Sequence, residues 1–237
     1  MLVFAALGFV AILMIAIFVS RDLTEVRGVL ERHEVGGGAP RMINRNTLLL
    51  TALSVLAGLV IYGYLGLYPT YLREVLKYSP EAAGSVMGIY GLGVLASIVG
   101  GWFGDRFSPR VVLGTAFLIA GLLGYLLFHG IDRFAFQAAL SFVWGFVISG
   151  TIYVNIAGYH VKAVRTALSG KASGLFVTSL YASAACAGYI MGYLASTWGW
   201  ATAANIQIIG ISIAGGLISL ALHPADLMLA PRPALER

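Results

Sequence analysis

The stretch GGWFGDRFSPR, Gly100–Arg110, sets one aspartate and two arginines between two long apolar runs, near 82–104 and 111–130. Each run is long enough to cross a bilayer, which takes roughly 20 apolar residues in a helix. Charges at the turn between such runs belong at a membrane surface, so the stretch reads as a loop joining two transmembrane helices. Outward from it, similar runs lie near 2–19, 47–72, 134–158, 170–196 and 202–222, which makes seven spans. Strand alternation is absent and the runs are far too long for barrel strands, so helices must satisfy the backbone in lipid. The fold class is all-α, a polytopic membrane protein with seven transmembrane helices.

Composition agrees, with 59% hydrophobic and 11% charged residues, where soluble domains carry about a quarter charged. A soluble enzyme is excluded. The net charge of +5 does not point to nucleic acid, because the basic residues are scattered through short loops rather than gathered into a patch. Membrane topology explains them. Arg21, Arg27, Arg32, Arg41, Arg45, Arg106, Arg110, Lys162, Arg165, Lys171, Arg232 and Arg237 fall on one side of the alternating spans, and Arg73, Lys77 and Arg133 on the other. The positive-inside rule makes the first side cytoplasmic, with the N-terminus outside and the C-terminus inside. The single cysteine, Cys186, lies within a span, so no intramolecular disulfide forms. Met1 to Ser20 lacks a basic n-region and a small-residue cleavage site and reads as a retained helix, not a signal peptide.

The chain divides into a lone span over 1–20, a loop over 21–45, a six-helix unit over 46–223 and a tail over 224–237. In the loop, RDLTEVRGVLERHE places Leu23, Val26 and Leu30 on one face and reads as a short interfacial helix, which GGGAP then ends. Small residues recur at packing intervals: Gly84 and Gly88; Gly93, Ser97 and Gly101; Ala184, Gly188, Gly192 and Ser196. In lipid such ladders let helix backbones approach closely.

Ionisable groups buried in a membrane are the default functional candidates, and none falls at mid-span here; His129, His160 and His223 sit at span termini. No spacing of His, Cys, Asp or Glu points to a metal site, and nothing calls for a cofactor. The final span carries no lysine, which argues against a retinal protein. Polar uncharged residues are more informative. Gln137, Ser141, Trp144, Thr151, Asn155 and Tyr159 fall in one stripe at 100° per residue, the pattern of a helix with one wet face. Gly58, Tyr62 and Pro69 share a face on 47–72, and Gly174, Thr178, Tyr181, Ala185 and Gly188 form a stripe on 170–196. The candidate cavity-lining residues are therefore Tyr62, Gln137, Trp144, Thr151, Asn155 and Tyr181. Tyr68 and Tyr71 read as interfacial belt residues.

Gly101, Asp105, Arg106 and Arg110 stand at the spacing G-x-x-x-D-R-x-x-x-R in a loop between two spans. This resembles the loop signature of the major facilitator superfamily. The likeness extends beyond the motif: the six helices from residue 47, with the signature after the second, look like one six-helix half of such a transporter. The span over 2–19 looks like the last helix of the preceding half, and LSGKASG, Leu168–Gly174, sits where the family often carries a basic, glycine-containing turn. Two positions depart from the pattern: Ser108 stands where a second glycine is usual, and Pro109 where a basic residue is usual.

The resemblance implies a secondary transporter of a small organic solute working by alternating access, with the solute site between two halves. It also implies roles for the loop residues. Gly101 would let two helices meet, Asp105 would face a neighbouring helix end while pairing with arginine, and Arg106 and Arg110 would hold the loop at an anionic surface. Together they would form a conformational latch, with Arg165 and Lys171 a cytoplasmic docking turn. One such half is present, so a missing N-terminal half or a second subunit is expected as partner beside the solute and the lipid bilayer, and a truncated carrier is the favoured reading. A bacterial inner membrane is the expected location. The alternative is a membrane protein that binds or assembles without transporting.

Overall fold

A computed structural model describes residues 2–18 and 38–228. The expected interfacial helix within 21–45 and most of the tail from 224 lie outside the described residues. Helix α1, Leu2–Phe18, is 17 residues long and apolar throughout, at the lower limit for a span. It forms a unit apart from Gly36–Arg237.

The second unit holds six helices of membrane-spanning length: α2 (Arg45–Glu74), α3 (Pro80–Arg106), α4 (Pro109–His129), α5 (Phe134–Lys162), α6 (Ser169–Trp198) and α7 (Trp200–Ser219). Local chemistry sets their starts. Asn44 caps α2 reciprocally: its side chain accepts from the Thr47 amide, and its own amide donates to Thr47 Oγ1, both at 3.0 Å. Ser79 caps α3 ahead of Pro80. The departure Ser108-Pro109 has the same explanation, since Pro109 occupies the first turn of α4, where a missing N–H costs nothing. Gly199, at φ 83°, turns the chain between α6 and α7 in a conformation that favours glycine.

In the bundle α2 packs on α6, α3 on α5, and α4 on α7. Along the α3–α5 seam the backbones nearly touch. A Cβ on Gly100 would lie 2.0 Å from the Gly150 carbonyl oxygen, and one on Gly104 would lie 1.5 Å from Asn155 Oδ1. Only glycine fits there. The expected close-approach residue, Gly101, is one position out of phase; its Cβ would meet Val154 at an ordinary 3.8 Å. Gly84 and Gly88 face open space instead of a neighbouring helix.

The core is aromatic at one end of the bundle. Tyr64 stacks on Tyr68 at 4.5 Å and lies 5.1 Å from Trp144. Tyr68 and Tyr71 are buried, which corrects their reading as belt residues. Each hydroxyl finds an internal acceptor: Tyr71 donates to the Phe128 carbonyl at 3.1 Å, and Tyr68 donates to Gln137 Oε1. In hydrocarbon a tyrosine can face inward only where such a partner exists, and the helix wheel does not report partners.

Two ends can be told apart by their contacts. At one end Arg45 donates to the Ala221 carbonyl, Arg110 to the Leu222 carbonyl and Lys162 pairs with Asp105. The stretch before α2 joins this end, with Ala39 exchanging backbone hydrogen bonds with Ala163 and Arg165 at 3.1 Å. At the other, Tyr78 in the α2–α3 loop donates to the Asp132 carbonyl, and burial with the nearby Asp132 charge raises the Tyr78 pKa above its ordinary value.

Candidate functional site

The stripe on α5 expected to be wet is sealed inside the bundle. Gln137, Ser141, Trp144, Thr151, Asn155 and Tyr159 are all buried. Most of them spend their polar groups on neighbours. Gln137 Nε2 donates to the Leu127 and Ile131 carbonyls at 3.2 Å, Ser141 Oγ accepts from Tyr64 at 3.0 Å, and Tyr159 donates to the Gly104 carbonyl at 3.1 Å. Asn155 Nδ2 donates to the Gly100 carbonyl at 2.8 Å and the Thr151 carbonyl at 2.9 Å, across the glycine seam. Polar side chains at one helical period thus mark helix contacts here, because a polar group in lipid is least costly where another helix offers a partner. Gln137, Trp144 and Asn155 are corrected from cavity-lining to bundle-internal residues, and Thr151 reaches only an apolar groove described below.

The other two candidates stand differently. Tyr62 on α2 is half-buried and Tyr181 on α6 is exposed, with ring centroids 5.8 Å apart. Tyr153 of α5 joins them, and the hydroxyls of Tyr62 and Tyr153 converge on Tyr181. The cluster draws on three helices and carries no formal charge. Tyr153 escaped the sequence reading because it lies opposite the polar stripe on a 100° wheel. It also falls in a π-helical segment, Phe146–Tyr153, a local widening that a uniform wheel does not anticipate and that often accompanies functional sites. On α6 the stripe Gly174, Thr178, Tyr181 and Ala185 is open, as are Gly84, Gly88 and Gly91 on α3.

The loop residues disperse to separate tasks. Asp105 pairs with Lys162 Nζ at 2.8 Å, with the two side chains 73% and 31% exposed respectively. The expected arginine partner is thus replaced by a lysine from α5. Arg106 lies over the Trp102 ring, 5.2 Å from its centroid. Arg110 Nε donates to the Leu222 carbonyl just past α7, where a cation suits the negative end of a helix. Arg165 and Lys171 are exposed. His160, expected at a span terminus, is buried on α5; its Nδ1 lies 3.0 Å from the Ile156 carbonyl.

Six long apolar helices, a glycine seam and the G-x-x-x-D-R-x-x-x-R loop are also what a family comparison recovers: the model of the Major Facilitator Superfamily matches residues 1–188. The chain belongs to this superfamily. That places it among integral membrane transport proteins, not enzymes. It is 31% identical over 138 residues to a gallate transporter of Pseudomonas putida, a match covering 58% of this chain and 28% of that one. It is 29% identical over 137 residues to a probable hexose phosphate transport protein of Chlamydia muridarum, covering 55% and 30%. With sugar efflux transporter B of Salmonella typhimurium it shares 26% identity over 174 residues, covering 68% and 41%. The crystal structure of the POT family transporter PepTSo superposes with a TM-score of 0.65 at 19% identity, over 82% of this chain and 40% of that one. The matches span well under half the length of these superfamily members.

Proposed function

We propose that this chain is one half of a secondary transporter for a small organic solute, its path completed by a second half in the same polypeptide or in another subunit. The observation that carries this reading is the tyrosine cluster on α2, α5 and α6. Tyr62, Tyr153 and Tyr181 present hydroxyls and ring faces on an otherwise apolar bundle, and they do so beside helices whose small residues are open. Such a surface suits a ring-bearing solute with hydroxyl groups. The relatives named for gallate, hexose phosphate and sugars carry solutes of that kind.

Alternating access gives Asp105 its part. Its carboxylate is largely exposed even while Lys162 holds one oxygen, so acceptor positions stand free for donors of an apposed half. Contact at this end favours the conformer closed there, and parting of the halves releases it. The arginine-rich end faces the cytoplasm, with the N-terminus outside and the C-terminus inside, in a bacterial inner membrane. Arg165 and Lys171 dock the opposing half at that same end.

The test is uptake of a labelled panel of hydroxylated aromatic acids and sugars into cells, by the chain alone and by the chain with its in-frame upstream segment. Saturable uptake by the completed pair is expected. Replacing Tyr181 by Phe should lower it about tenfold, the equivalent of one uncharged hydrogen bond. No uptake above empty vector from well-inserted protein would refute the reading.

A further inference from the structure

Apart from the tyrosine cluster, the bundle has a second concavity of about 310 Å³, between α3, α4 and α5. Phe103 and Phe107 of α3 and Phe146 of α5 form part of its wall, and Val111, Thr115 and Ile119 run along it on α4. These last three are spaced four apart, so the groove follows α4 for about 12 Å from the charged loop into the membrane. It opens outward, for Phe107, Val111 and Ile119 are about half exposed.

Its polar residues offer a ligand almost nothing. Thr115 Oγ1 donates to the Val111 carbonyl at 2.6 Å, and Thr151 Oγ1 donates to the Phe146 carbonyl at 3.1 Å, so both hydroxyls are spent on their own helix. A hydroxylated solute entering here would lose its hydrogen bonds to water without replacement. A hydrocarbon chain would lose nothing.

The groove ends at charge. Arg106 precedes Phe107 and Arg110 precedes Val111, so the mouth lies between two arginines. Arg106 is exposed and held over Trp102. The acidic neighbour, Asp105, is occupied by Lys162, which leaves the arginines in excess. An acyl chain gains little from an apolar groove over bulk lipid, because lipid tails are equally apolar. Selectivity must therefore come from the headgroup, and two arginines beside an interhelical groove favour an anionic one.

The geometry points to a binding site for an anionic phospholipid, with one acyl chain lying along Val111, Thr115 and Ile119 and the headgroup phosphate at Arg106 and Arg110. This inference is independent of what the chain transports.

The test is native mass spectrometry of the purified 237-residue chain, stripped of lipid and then offered phosphatidylglycerol or phosphatidylcholine with identical acyl chains. The wild-type chain should retain phosphatidylglycerol about fivefold better, roughly the effect of one arginine at an anionic surface. Val111→Trp, which fills the mouth, should abolish that retention. Arg106→Gln should bring the two lipids to parity. Ile119→Trp fills the inner end and is the second variant; whichever of the two fillings keeps a wild-type circular dichroism spectrum decides. Equal retention of both lipids by the wild-type chain would overturn the site. So would full phosphatidylglycerol retention in a folded filled variant, or a groove covered by a second copy of the chain with no lipid present.

Discussion

The two sides of α5 teach opposite lessons about polar residues in a membrane. One side carries Gln137, Ser141, Trp144 and Asn155, all sealed against α2, α3 and α4, with Gln137, Ser141 and Asn155 hydrogen-bonded across those contacts. The other carries Tyr153, which meets Tyr62 and Tyr181 where the bundle is open. Polar content is thus richer on the side that never sees solute. Hydrogen bonding between helices and recognition of a ligand draw on the same residue types, and only the neighbours distinguish them.

The comparison can be broken most severely at the glycine seam. Gly100→Leu places side-chain atoms where the Gly150 carbonyl oxygen stands, 2.0 Å from the Cβ position. Backbone cannot give way as a side chain can, so the loss should be at the upper end of overpacking costs, about 3 kcal/mol or more. It should appear as loss of a monodisperse peak and of a cooperative melt in detergent.

Gln137→Leu comes next. It leaves the Tyr68 hydroxyl and the Leu127 and Ile131 carbonyls without their partner in a buried setting, for a loss of about 2–3 kcal/mol. The matching change on the open side, Tyr62→Phe, should shift thermal stability by less than about 0.5 kcal/mol while reducing uptake by the completed transporter. Equal destabilisation by the two would erase the distinction between the sides.

The smallest effect on stability belongs to the loop. Asp105→Asn removes an exposed pair worth about 0–1 kcal/mol, and that loss should shrink further in high salt. Its effect on uptake should be much larger. A wild-type transport rate in the Asp105→Asn variant would remove the latch role, whatever the stability.

How much of this was legible depended on the kind of force. The six long helices were readable because hydrophobic length is a local property, and Leu2–Phe18 was readable as a helix for the same reason. The loop signature was readable because its spacing is a property of one stretch, and it led to the superfamily that the family match then established. The tasks of its residues were not readable. The Asp105 partner is Lys162, 57 residues away, and nothing in either neighbourhood announces the other.

By itself, then, the sequence determined that this is a helical membrane protein, where its spans lie, which loops share a side and which superfamily supplies the frame. Each of those rests on composition and spacing along the chain. Tertiary structure alone decided that Gly100 and Gly104, not Gly101, bring α3 and α5 together, that Tyr68 and Tyr71 turn inward, and that Tyr153 joins Tyr62 and Tyr181. The reason is that helical phase and interhelical partners are set by packing. A π-helical stretch such as Phe146–Tyr153 or a displacement of one residue in a glycine ladder redirects every side chain that follows, with no trace in hydrophobicity.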